Sequence, residues 1–164
     1  MTDKSNFTPD EWKLLLESVM MAGMAVTAAD PSGLWGLLKE SFASGAALAK
    51  VKLDNSSNPL IKAVVADFDT PDGRSAARDG LKTKLAGASA SEIKSRCIDT
   101  LGQVSTLLDT KAPADAAAFK AWLRQISQGV AEAASEGGLF GGVQVSDAEK
   151  ATLNEISSAL KLAA

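Results

Sequence analysis

Helix start signals recur along this chain so regularly that they leave room for little except helices. Thr8-Pro9-Asp10-Glu11 is a capping box with proline at the first helical position. The Thr8 hydroxyl can accept from the Glu11 backbone N–H while the Glu11 carboxylate reaches back to the Thr8 N–H. Asp30-Pro31 and Asn58-Pro59 repeat the cap-then-proline device, and Thr70-Pro71-Asp72 carries a further version. Ser89-Ala90-Ser91-Glu92 and Ser146-Asp147-Ala148-Glu149 are two more capping boxes, and Pro113 followed by Asp115 opens another helix.

The apolar spacing between these signals is helical too. Ile93, Cys97, Leu101, Val104 and Leu108 fall at steps of four, four, three and four, and Phe119, Trp122, Leu123, Ile126 and Val130 line a second stripe. No stretch alternates apolar and polar residues as a half-buried strand would. The first helix is apolar almost all round beyond Lys13, and Ala22, Gly23, Ala25, Ala28 and Ala29 let neighbours come close. The sequence therefore predicts an all-α fold, a compact bundle of about seven helices around a central apolar first helix. The expected helices run roughly over 9–29, 31–52, 59–68, 72–86, 90–109, 113–136 and 147–162. With 164 residues, 46% hydrophobic and 23% charged, the chain fits one domain with its own core. Residues 1–7 are expected to be a loose N-terminal tail.

Composition narrows the chemistry. There is no His and no Tyr, and the single thiol, Cys97, sits on an apolar stripe with no imidazole to activate it. A buried core residue is the better reading of it. One Cys and no His cannot build a structural zinc site, so any bound metal should be a hard cation held by oxygen, calcium or magnesium. One Cys also cannot form an internal disulfide, which suits a reducing cytoplasm. The longest uncharged run, 18–29, is shorter than the roughly 20 apolar residues a membrane span takes. Asp3, Asp10, Glu11 and Glu17 precede it, where a secretory signal would be positive. A soluble cytoplasmic protein without a membrane span is the expectation.

Three local clusters invite a functional reading. Asp67, Asp69 and Asp72, followed by Gly73, are the densest carboxylate group and the candidate cation site. Their spacing departs from a calcium loop, because the third Asp and the Gly each come one place late and position 12 is Arg78. The plainer reading is a helix end and a capping turn. Glu136-Gly137-Gly138-Leu139-Phe140-Gly141-Gly142 could form an anion-holding nest but contains no Lys or Arg, so a glycine-terminated helix with a hydrophobic tuck is the simpler account. Leu139, Phe140 and Val143 of that region form the candidate interaction patch. Arg74, Arg78 and Lys82 make a basic stripe, but no aromatic residue is interleaved and the net charge is −3, which argues against a nucleic-acid partner. Trp12, Trp35 and Trp122 lie on apolar faces and are expected in the core.

Two stretches carry a resemblance. FKAWLRQISQGVAEAASEGGLFGGVQVSDAEKATLNEISSAL, residues 119–160, is similar to the C-terminal half of a family of uncharacterised bacterial helical proteins with an AEAA-x-EGG…GG…VS-x-AE string. The opening FTPDEWKLLLESVMMAGMAVTAADPSG resembles the start of the same family. More distantly, the alternation of alanine-rich helices with acidic or glycine loops resembles the tellurite-resistance TerB-like fold. That resemblance implies cation binding through carboxylates, with the loop after Ala29 and the one before Ser146 as the corresponding places, and a site using Asp30, Asp67, Asp69 and Asp72 or Glu136 and Glu149.

These observations predict a non-catalytic helical module that binds a partner protein or a second copy of itself. The alternative is a TerB-like domain binding calcium or magnesium. No organic cofactor and no catalytic residue set is expected.

Overall fold

The computed structural model describes residues 1–29, 58–136 and 145–163. Among these residues every regular element is a helix: a 3₁₀ turn, η1 (Lys4–Asn6), then α1 (Pro9–Ala29), α2 (Pro59–Phe68), α3 (Pro71–Leu85), α4 (Ala90–Lys111), α5 (Pro113–Glu136) and α6 (Asp147–Ala159). The fold is all-α. Residues 31–52, expected to form a helix that includes Trp35, lie outside the described residues, as do Asp30, Leu139, Phe140 and Val143.

The caps form as the sequence signals imply. The Thr8 N–H donates to Glu11 Oε2 at 2.8 Å and the Glu11 N–H to Thr8 Oγ1 at 3.3 Å. Ser89 with Glu92 and Ser146 with Glu149 each complete the same reciprocal pair. Asn58 caps α2 through the Ile61 N–H, and its amide also donates to Asp115 Oδ1 at 2.8 Å. One side chain thus ties the start of α2 to the buried first turn of α5. Each such cap satisfies backbone donors that the helix itself cannot, worth ~1 kcal/mol.

α1 is buried without interruption from Leu15 to Ala28 and touches each of α2 to α6. Its length and apolar composition reach what a membrane span needs, and 83% of its most apolar window is buried inside the bundle. Both sequence stripes face inward: all five residues of the α4 stripe and all five of the α5 stripe are buried. Cys97 is among them, with Trp12 and Trp122. Each large side chain moved fully out of water in this way contributes roughly 1.5–3 kcal/mol.

Residues before α1 correct the expectation of a loose tail. Asp3 caps η1, Phe7 is buried, and the Phe7 and Trp12 rings lie 5.8 Å apart at 46°. Lys4 Nζ reaches Asp67 Oδ2 at 3.0 Å. An apolar contact and an ion pair together hold this segment against α1 and α2.

Candidate functional site

An open cleft of about 470 Å³ lies where η1 and the first turns of α1 meet the last turn of α2 and the start of α3. Phe7, Trp12, Leu16 and Ala76 give it an apolar lining. Lys4, Asp10, Lys13, Asp67 and Asp72 bring charges to it, and Gly73 lines the α3 side.

Local sequence explains this shape. Thr70 ends the α2–α3 turn: its Oγ1 donates to the Asp67 carbonyl at 2.7 Å and accepts from the Gly73 N–H at 3.0 Å. A Cβ on residue 73 would overlap that same Asp67 carbonyl, so only glycine permits so tight a junction. Arg74 Nη1 closes the C-terminus of α2 by donating to the Phe68 and Asp69 carbonyls at 3.2 and 2.9 Å. Carbonyls at a helix end carry partial negative charge, which a guanidinium complements.

Asp67 is the most organised charged group in the cleft. Its Oδ2 accepts from the Trp12 indole N–H at 2.7 Å and from Lys4 Nζ at 3.0 Å. Burial opposes its ionisation, but the hydrogen bonds from Trp12 and Lys4 and the Lys4 charge outweigh it, so its carboxyl sits below the usual value. Asp67 therefore stands as an anion committed to two donors.

This geometry revises the sequence-level sites. Asp67, Asp69 and Asp72 are not drawn into a cage: among the described residues no three or more carboxylate or thiolate side chains form a group that could hold a metal ion. The reason is topological. Asp67 turns towards Trp12 and Lys4, while Asp69 and Asp72 are exposed on either side of the capping turn. The basic stripe is also divided, because Arg74 serves the end of α2 while Arg78 and Lys82 stay exposed along α3. Glu149 is occupied by its own capping box.

Cys97 is fully buried, and burial pushes its thiol up to about 12, the opposite of what a nucleophile needs.

Sequence reasoning missed the buried charge of Glu17. Its side chain is 4% exposed and pairs with Lys84 Nζ, itself 34% exposed, across the α1–α3 contact. Gly80 faces it so closely that a Cβ would overlap the Glu17 carboxylate. A usable signal was present: Gly73, Ala77, Gly80 and Lys84 recur at helical spacing, a row of small residues ending in a cation.

No family model matches the chain, and no curated protein or solved structure matches it.

Proposed function

We propose that this chain is a non-catalytic helical binding module that receives a segment of a partner protein in the cleft between η1, α1 and α3. One observation carries the reading: the cleft joins an apolar lining to charges that are left without partners. Asp10, Lys13 and Asp72 make no ion pair or hydrogen bond through their side chains among the described residues, whereas Asp67 is positioned in advance. Apolar surface with a few oriented polar groups is the usual composition of a recognition site. The non-catalytic half draws support from the thiol held protonated by burial and the cleft carboxylate held ionised by its donors.

The test is an amide and indole NMR titration of the labelled protein with a pool of blocked hexapeptides. Saturable shifts confined to Phe7, Trp12, Leu16 and Ala76 and their neighbours support the proposal. They should vanish in Ala76→Trp, which fills the cleft from a half-buried position. Absence of any shift, or shifts that persist in Ala76→Trp, would overturn it. A second copy of the chain as the partner would show instead as concentration-dependent shifts without peptide.

A further inference from the structure

We infer that the cleft recognises a primary ammonium, a lysine side chain on the partner segment, and that Lys4 fills that place in the free protein. This rests on the reading of the cleft as a binding site. Lys4 Nζ lies 3.0 Å from Asp67 Oδ2 and 5.9 Å from the centre of the Trp12 ring. The chain thus carries an ammonium at a corner made of a carboxylate and an aromatic ring, the two groups that attract a cation most directly.

That corner is built before any partner arrives. The buried Trp12 indole donates to the same Oδ2 at 2.7 Å, fixing the carboxylate, and the last turn of α2 fixes the backbone behind it. Pre-oriented groups lose little freedom on binding. The occupant is held loosely by comparison. The Lys4 side chain is 63% exposed, and exposed ion pairs contribute little. Lysine suits the corner better than arginine. A guanidinium seeks both carboxylate oxygens side by side, whereas the ammonium here bonds Oδ2 alone, the oxygen that also accepts from the indole.

Charge around the cleft favours a basic segment. Among the described residues Asp10 and Asp72 make no ion pair, against Lys13 alone, while Lys4 and Asp67 cancel each other. A segment that sets apolar residues over Phe7 and Leu16 gains burial that the Lys4 side chain alone does not supply. Displacing Lys4 then costs one exposed ion pair and creates another in a less hydrated setting.

The experiment follows the Trp12 indole N–H resonance during titration with n-butylammonium chloride, which is the lysine side chain alone. n-Butanol in sodium chloride of equal ionic strength is the comparison. The expected result is a saturable shift with butylammonium that exceeds the shift with butanol. Lys4→Met should tighten butylammonium binding by about two- to fivefold, the worth of removing an exposed competitor. Asp67→Asn should abolish it while keeping an oxygen for the indole. Equal responses to butanol and butylammonium, or unchanged or weaker binding in Lys4→Met, would overturn the lysine assignment. The peptide titration and Ala76→Trp would still report separately on the cleft as a binding site. If Asp67→Asn does not fold, Lys4→Met alone decides, because it removes one exposed ion pair and leaves the Trp12–Asp67 hydrogen bond and the buried Phe7 in place.

Discussion

Cys97 shows how position on a helix decides a side chain's chemistry. Its place in a row with Ile93 and Leu101 was readable from spacing alone, and the structure buries all three. Burial raises the folded-state pKa from 9.0 to about 12. The sign follows directly. Below pH 9 both folded and unfolded chains keep the proton, so the thiol leaves stability unchanged. Between pH 9 and 12 the unfolded chain ionises first, and stability falls as pH rises. Urea unfolding at pH 8 and at pH 10.5 should show this fall in the wild type and a shallower one in Cys97→Ala. The same burial predicts that a thiol reagent labels the native protein slowly at pH 8 and rapidly in urea. Rapid native labelling would mean that α4 opens locally. Glu17 was not readable in the same way. It looks like one more acid near the N-terminus, and its partner Lys84 lies 67 residues further on.

At the scale of the element, what was local was legible. Capping boxes and prolines act within a few residues, so the starts of α1, α2, α4, α5 and α6 fall where the sequence signals put them. Helix α3 shows the limit. Its charges, Arg74, Arg78 and Lys82, suggest an interaction face, yet the other side of the helix does the packing. There Gly73, Ala77 and Gly80 are buried, and α3 packs against α1. A small-residue row has no hydrophobic signature, so periodicity overlooks it. Two glycines separate this effect from helix propensity. Gly102, in α4, has open space where a Cβ would go. Gly102→Ala should therefore raise stability by about 0.5–1 kcal/mol, the ordinary helical difference between the two residues. Gly80→Ala gains the same propensity but pushes the buried Glu17 carboxylate away from Lys84. It should lower stability by about 1–3 kcal/mol. Urea midpoints with unchanged slopes would measure both, and a Gly80→Ala protein as stable as wild type would show that Glu17 has room to move.

For the whole molecule, the N-terminal segment joins the core and the cleft. It reads as a tail because nothing within seven residues announces its contacts. Phe7 meets Trp12 on α1, and Lys4 meets Asp67 on α2, 63 residues further along the chain. Phe7→Ala should cost about 2–3 kcal/mol, slightly below the usual range for a core phenylalanine because the site lies at the edge of the bundle. The Asp67 junction makes a second global property testable. Its folded-state pKa is lowered from 3.8, so its contribution is present above pH 3.8 and is lost as pH falls through the lower folded value. Glu11 and Glu92, held down chiefly by the backbone N–H groups of Thr8 and Ser89, act in the same direction from 4.5. Acid should therefore destabilise the bundle below about pH 4 through several caps and one interhelical contact together. Asp67→Asn isolates the last of these. At pH 7 it should be less stable than wild type by about 1 kcal/mol, because the indole keeps an acceptor while the Lys4 pair is lost. Well below pH 3.8 the wild-type carboxyl is protonated as well, and the two melting curves should converge. A gap that stays constant with pH would mean that Asp67 acts through shape and hydrogen bonding, and that its charge contributes nothing to holding the N-terminal segment in place.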